Sequence, residues 1–528
     1  MLLLLIFMVS NCVAFQSTTF LKHPFIKSQT IHQLQLSPHD NQHENSKEAT
    51  GIYIHIPYCR KRCSYCDFAI VPIGDQLKSD KALRGFQRMD ESYRKAITTE
   101  IDLLIQSLER QSDENRKIEK VRLSSIYFGG GTPSLAPLET IQSIVDRILA
   151  HDGPFYLDDE AEVTIEMDPG TFTKDHLISL KQIGINRISL GVQSFDDKIL
   201  EGIGRVHRNA DIMEAIRNIQ SVFGDTSANY SLDLISGLPG LTLDLWEETL
   251  KTALTLKPAP NHLSIYDLQI EEGTAFGKWY ADHEDYEDDD DDGITIENAR
   301  FESTKDMTTG DSLPARKGSN HLPLPSANDS AEMYKMASTF MRKEGWEHYE
   351  ISSFAKITES EGTSCKSRRS KHNQIYWKLN GSWFAVGLSA TSSIDGKRFA
   401  RPRNLADYAQ WVEEQHKRGQ GVNKSPTFDW MPEPGNSHLE NNSEIISDTI
   451  MTKLRTIEGL DLNWIASEKN GEELLQCVMR GAELGIELGL AQVSSPGSAN
   501  DKGTLRLTDP EGFLFSNNVI SSIFAELP

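Results

Sequence analysis

Between residues 51 and 269 the chain alternates short β-rich runs with amphipathic helical stretches, and no other feature restricts its fold as strongly. The β runs are GIYIHI (51–56), LSSIYF (123–128), EVTIEM (162–167), RISLGV (187–192), YSLDLI (230–235) and HLSIYD (262–267). Helical periodicity occupies residues 91–110, 176–184, 211–223 and 245–256. A strand, a helix and a further strand in succession need a crossover connection, which makes the strands parallel. Six such units predict an α/β fold, as an open barrel or a doubly wound sheet. In either, ligands gather beyond the C-terminal ends of the strands.

The loops that follow the strands agree with that rule. CRKRCSYC follows the first strand, GGGTP (129–133) the second, DPG (168–170) the third, QSF (193–195) the fourth and SGLPG (236–240) the fifth. Glycine, proline or reactive side chains load every loop on one face, so that face is expected to carry the chemistry.

At 528 residues there is room for two or three domains. Residues 50–280 are expected to form the barrel. Residues 281–321 read as an acidic, solvated insert containing YEDDDDD (286–292), which supplies a sizeable part of the net charge of −23. Residues 322–402 return to folded patterning, with a strand expected at HYEISSFA (348–355) and a polar stretch carrying Cys365. Residues 403–528 are mainly helical and end in a small wing and a final helix, as a separate C-terminal domain would. The acidic balance argues against nucleic-acid binding, which needs clustered Lys and Arg. No segment after the N-terminus has the ~18 apolar residues of a membrane span.

Residues 1–49 read as an address. MLLLLIFMVSNCVA has a short apolar core with small residues near Ala14, and residues 15–39 contain Lys, His, Ser and Thr but no Asp or Glu. A signal peptide followed by a transit-like segment resembles the two-part presequences of complex plastids. Secretion and a mitochondrial address are the alternatives.

Three of the six cysteines, Cys59, Cys63 and Cys66, stand within eight residues. An odd number of crowded thiols does not suit disulfides, and Arg60, Lys61 and Arg62 are expected to lower the thiol pKa values. Three thiolates on a [4Fe–4S] cube leave one iron with open positions. An amine and a carboxylate, as in S-adenosylmethionine, would chelate that iron, and the cluster could reduce the bound sulfonium. Zinc on three Cys with His55 as a fourth ligand is the competing reading, and a reactive thiol cluster another.

C-x3-C-x2-C after a strand, with Tyr65 before the last Cys, resembles the radical S-adenosylmethionine superfamily. FGGGTPS, IEMDPG, RISLGVQSF, IGRVH and DLISGLPG extend the likeness over nearly the whole chain after residue 50, and YIHIPYC narrows it to the coproporphyrinogen-dehydrogenase-like branch. The resemblance implies a partial (β/α)6 barrel, a [4Fe–4S] cluster on Cys59, Cys63 and Cys66, and an electron donor for it. It also implies S-adenosylmethionine contacts from Tyr53, Gly130, Gly131, Thr132, Glu166, Gln193, Arg205 and Asp233.

Within the branch, dehydrogenases place a further Cys two positions after the third, where this chain has Phe68, and they carry an N-terminal extension. HNQIYW (372–377) matches the H-N-x-x-Y-W signature of HemW-type haem chaperones. That sister group implies haem as cargo, haem-acceptor proteins as partners and His372 as a haem ligand, with Tyr376 and Trp377 against the macrocycle. Where bacterial members read G-x-G-A-H, this chain has Thr391, and Cys365 is an alternative thiolate. The other readings are an oxygen-independent coproporphyrinogen III dehydrogenase and an iron–sulfur electron-transfer protein. Homodimerisation is left open.

Overall fold

The computed structural model describes residues 50–74, 79–111, 120–225, 228–280, 321–358, 366–378, 381–394, 397–419, 442–494 and 501–528. The presequence, Cys365 and all of the acidic insert but His321 lie outside these residues.

All six expected strands form: β1 (Thr50–Ile56), β2 (Val121–Gly130), β3 (Phe155–Met167), β4 (Arg187–Gln193), β5 (Tyr230–Ser236) and β6 (His262–Asp267). They run parallel in chain order, β1 to β6. Between them lie helices α1 (Asp80–Gln111), α2 (Leu138–Ile148), α3 (Lys174–Ile183), α4 (Asn209–Phe223) and α5 (Leu243–Thr255). Thr173 caps the start of α3 by accepting from the His176 amide, and Gly184 ends it at φ 112°, a conformation that costs glycine little. Helix α1 begins earlier than its periodicity suggested, with Phe86 of the added turns edge-on to Tyr58 at 5.1 Å.

The rest of the sheet comes from beyond the insert. After α6 (Ala327–Lys343), HYEISSFA forms a hairpin of β7 (Trp346–Glu350) and β8 (Ser353–Thr358) instead of a single strand. The Glu350 carboxylate accepts from the Ser352 amide at 3.2 Å, fixing the turn that divides the run. Strand β8 then pairs antiparallel with β6 and covers that edge. On the other edge, short helix α7 (Lys371–Tyr376) leads to β9 (Trp383–Val386), which lies parallel to β1. A seventh parallel strand thus flanks β1, followed by antiparallel β10 (Thr391–Ile394) and β11 (Lys397–Ala400).

Strand alternation sorts the side chains by chemistry. Ile52, Ile54, Ile126, Phe128, Ile165, Leu190, Leu232 and Leu263 belong to the main apolar core beneath the helices. The intervening positions carry Tyr53, His55, Tyr127, Glu166, Ser189, Asp233 and Ser264. With a period of two, one face of each strand is greasy and the other is polar or aromatic. The barrel interior therefore holds polar groups near the mouth and, deeper down, a small aromatic cluster that includes Tyr53, Tyr127 and Tyr376.

Helix α8 (Leu405–Gly419) packs on α1, and its Tyr408 and Val412 join the barrel core. Tyr408 donates to the buried Glu100 carboxylate at 2.6 Å. Helix α8, within the C-terminal segment expected from residue 403, thus packs with the barrel. The second apolar cluster gathers around α9 (Asn442–Leu454), α10 (Gly471–Glu487) and α11 (Ser516–Glu526). A three-stranded antiparallel sheet supplies the expected wing. Asp509 ties this unit to the barrel, accepting from Ser338 at 2.5 Å and from His348 at 2.9 Å. No helix among the described residues is long and apolar enough to cross a membrane.

Candidate cofactor site at the barrel mouth

Beyond β1 the chain forms a loop whose backbone is pinned from several sides. The amides of Val71 and Ile73 donate to the carbonyls of Pro57 (2.7 Å) and Cys59 (2.8 Å). The Ser64 amide donates to Ile203 at 3.0 Å, and the Phe276 amide to Ser64 at 2.9 Å. Arg62 holds the carbonyls of Cys66 (3.2 Å) and Phe68 (2.8 Å), while Arg60 reaches the Gly170 carbonyl at 2.6 Å. These arginines organise backbone, and Arg62 lowers the Cys66 pKa as expected without deciding it. Burial dominates instead, raising Cys59 and pushing Cys66 up to about 11, with Cys63 adding to the effect.

The loop roofs a cavity of about 1330 Å³, counting its open mouth, at the C-terminal ends of the strands. Cys59, Cys63, Cys66, Gly130, Gly131, Thr132, Glu166, Gln193, Arg205 and Asp233 all line it. The structure thus brings together the three thiols and seven of the eight expected cofactor contacts.

The geometry of each follows from its strand. Glu166, near the end of β3, accepts from the Tyr127 hydroxyl (2.8 Å) and the Gly130 amide (3.1 Å), which shapes the glycine loop. Gly130 sits at φ 111°, where a Cβ would fall 2.4 Å from the His55 ring. The Thr132 hydroxyl donates to Asp168 at 3.1 Å and lies 3.4 Å from Cys59 Sγ. Arg205 donates to Asp168 (2.5 Å), to the Gly191 carbonyl (2.9 Å) and to Cys63 Sγ (3.6 Å). Its guanidinium is therefore bound to a carboxylate of the protein itself. Gln193 adopts φ 66°, rare for a residue with a side chain, and its Oε1 is buried with no hydrogen-bond partner.

Asp233 accepts from Ser189 Oγ at 3.2 and 3.0 Å. Burial, with Glu166 nearby, pushes it up to about 6, and burial does the same to Asp267, which also lines the cavity. A cationic ligand needs these groups ionised, so its affinity should fall as pH drops through this range. Calorimetry with S-adenosylmethionine should show about a fourfold loss per group from about pH 7.5 to about pH 5.5, and Asp233→Asn should remove its own share while leaving that of Asp267. Stability without ligand runs the opposite way. A carboxyl pKa raised above its unfolded value makes the folded state bind more protons, so stability rises as pH falls from about 6 to about 4.

Two expected site residues lie elsewhere. Tyr53 faces inward one layer below the cavity, its hydroxyl 3.2 Å from His55 Nδ1 and its ring 6.2 Å from that of Tyr127. It supports the glycine loop from beneath. His372, on α7, closes the opposite end of the barrel. Its Nδ1 lies 2.7 Å from Ser125 Oγ, its Nε2 lies 2.6 Å from the Tyr376 hydroxyl, and its ring stacks on Tyr127 at 5.0 Å. A neutral imidazole donates from one nitrogen and accepts at the other, so both are occupied. Burial, with Arg187 nearby, lowers the ring to about 3. For His372 to ligate a haem iron, one of these two hydrogen bonds would have to break.

Sequence reasoning missed Asp168, Ser189 and Asp267 as site residues. DPG after β3 flagged the first, and strand alternation pointed Ser189 inward beside Asp233.

The donor set fits the implied groups. Three thiols share one cavity, two of them with polar neighbours at sulfur, and the unpartnered Gln193 Oε1 and the close-approach glycines leave polar space for an amino-acid cofactor. The family model for the radical SAM superfamily matches residues 53–253. The haem chaperone HemW of Synechocystis is 33% identical over 487 residues, 90% of this chain and 97% of that protein. The mitochondrial radical S-adenosyl methionine domain-containing protein 1 of Dictyostelium discoideum is 26% identical, covering 80% of this chain and 84% of its own. Coproporphyrinogen III oxidase (HemN) of Escherichia coli superposes with a TM-score of 0.60 at 18% identity, covering 90% of each chain. The chain belongs to the radical SAM superfamily, in its HemN-like branch together with the HemW proteins. Membership implies a [4Fe–4S] cluster and S-adenosylmethionine.

Proposed function

We propose that this chain is a haem chaperone of the HemW type. Cys59, Cys63 and Cys66 would hold the cluster, and the cavity would take S-adenosylmethionine. Haem would be the cargo, passed on to acceptor proteins. When bound, the cluster supplies an electron to the sulfonium; the protein's own residues orient the cofactor and exclude water.

The observation that carries this reading is the charge of the cavity. Asp67, Glu166, Asp168, Asp233, Asp267 and Glu271 line it, against Lys61 and Arg205. S-adenosylmethionine is a net cation and suits such a lining. Coproporphyrinogen III brings four propionates where haem brings two, and like charges in a partly desolvated cavity repel, so the lining disfavours the porphyrinogen more. Phe68 also lines the cavity, at the position where the dehydrogenases resemble one another in having Cys. The chaperone name of the Synechocystis relative supports the same reading.

Anaerobic reconstitution followed by haem titration and coproporphyrinogen turnover tests it. The expected result is a Soret shift without decarboxylation; decarboxylation with no Soret shift favours the dehydrogenase. His372→Ala should lose about 3 kcal/mol in urea unfolding, because it opens a cavity and strands two hydroxyls, yet titrate haem like wild type. Loss of haem binding in that variant, with the fold retained, would instead establish His372 as a ligand.

Residues 1–49 are proposed as an organelle address, with the plastid favoured by composition. Relatives named as mitochondrial support an organelle without selecting one. Import of a fusion carrying residues 1–49 into isolated plastids or mitochondria decides between them.

A further inference from the structure

Part of the cavity wall is apolar and does not serve the core. Phe68 and Ile70 line the cavity from the loop beyond β1, and Ile235 and Leu268 from the ends of β5 and β6. Ile235 and Leu268 also pack with the main core, whereas Phe68 and Ile70 join none of the three apolar clusters among the described residues. The Phe68 backbone is nonetheless fixed. Its carbonyl accepts from Arg62 at 2.8 Å, its amide donates to the Cys66 thiol, and Arg403 holds the carbonyl of its neighbour Asp67 at 3.0 Å. Burial raises the Glu271 carboxyl, with Asp67 adding to the effect, so the loop beyond β1 and the segment beyond β6 meet at this side of the mouth. A half-buried Phe alone is ordinary surface. On a pinned backbone, beside Ile70 and on a cavity wall, it is a binding face.

We propose that Phe68 and Ile70, with Leu268, form a slot that holds the flat macrocycle of haem by its face, and that Phe68 selects a planar porphyrin over a porphyrinogen. The proposal rests on the haem-chaperone reading above. Haem is conjugated throughout and flat, so its face can lie against an aromatic ring and both shed water. A porphyrinogen has saturated methylene bridges, its pyrrole rings tilt out of one plane, and it gains less from the same wall. The carboxylates of Glu166 and Asp233 stand on the strands, so the haem propionates turn outward, to the exposed Lys61 and Arg403. Recognition runs through the macrocycle face and therefore does not need the iron.

The test is titration of the reconstituted protein with haem, read by the Soret band, and with metal-free protoporphyrin IX, read by fluorescence anisotropy. Wild type should bind both. Phe68→Ala should weaken both by about tenfold, while affinity for coproporphyrinogen III, measured anaerobically by calorimetry, should change by less than about twofold. Phe68→Trp should bind both planar porphyrins like wild type. Iron loading should stay unchanged, because these substitutions keep the amide that donates to Cys66. If Phe68→Ala nevertheless loses iron, Phe68→Leu is read in its place: it keeps the bulk without the flat face and should lose about threefold. Ile270→Ala, 39% exposed and outside the lining, should alter neither affinity. Equal affinities in wild type and the Phe68 variants would overturn the slot alone. So would haem binding without protoporphyrin binding, which would put recognition at the iron. A wild-type protein that binds neither would overturn the chaperone reading and the slot together.

Discussion

Cys63→Ser is expected to abolish iron–sulfur loading while leaving the protein folded. Cys63 Sγ accepts one long contact, 3.6 Å from Arg205, and the loop around it is held by backbone hydrogen bonds that serine does not disturb. Unfolding in urea should therefore move by no more than about 0.5 kcal/mol for the cluster-free proteins. A serine hydroxyl near neutral pH is a poor substitute for a thiolate, and a cube left with two thiolates loses its third corner. Iron and sulfide content and the charge-transfer absorbance should both fall to background, and calorimetry should show no cluster-dependent binding of S-adenosylmethionine. Cys59→Ser and Cys66→Ser should behave alike. Cys477→Ser, buried on α10, should leave loading intact. A Cys63→Ser protein that keeps a full complement of iron would remove that residue from the ligand set.

Gly131→Ala should place a strongly damaging methyl group in the site. Its Cβ would stand 2.6 Å from the Tyr58 carbonyl oxygen and 2.7 Å from the Pro57 carbonyl carbon. Both are backbone atoms, and the same stretch carries β1 into the cysteine loop. The Gly131 and Thr132 amides also donate to the carbonyls of Ile56 (2.8 Å) and Tyr58 (2.6 Å), so the two segments cannot separate without losing those bonds. The expected cost is about 3 kcal/mol, at the upper end for overpacking, together with at least a tenfold loss of S-adenosylmethionine affinity. Urea unfolding and calorimetry read the two effects separately. Gly85→Ala is the control: nothing lies within 4 Å of its Cβ, and it should be neutral or stabilising.

Much of the barrel could be read from the sequence because period two and period 3.6 are local signals. The six strands, the inward positions of Glu166 and Asp233 and the loaded loops all follow from them. What stayed hidden depends on register or on distant pairing. Tyr53 faces inward as alternation requires, but its depth comes from lying opposite Tyr127, a pairing between segments far apart in the chain. Asp168 was legible as part of a turn, yet its role comes from Arg205, 37 residues away. WFAV in β9 is buried throughout, without alternation, and four apolar residues look alike in a strand, a helix or a core loop. His372 illustrates the limit of motif reading. Ser370 caps a six-residue helix there, and only the tertiary structure lowers that helix onto Ser125 and Tyr127.

That stopper of His372, Tyr376 and Tyr127 also governs traffic. Among the described residues these side chains block the N-terminal end, so the mouth is where ligands would enter and leave. The cofactor, seated deep against Gly131 and Gln193, would have to arrive before any cargo that settles at the mouth. It would then be trapped for as long as the cargo stayed. On the proposed haem-chaperone reading, such a vessel would order the two ligands, with cargo slowing cofactor escape.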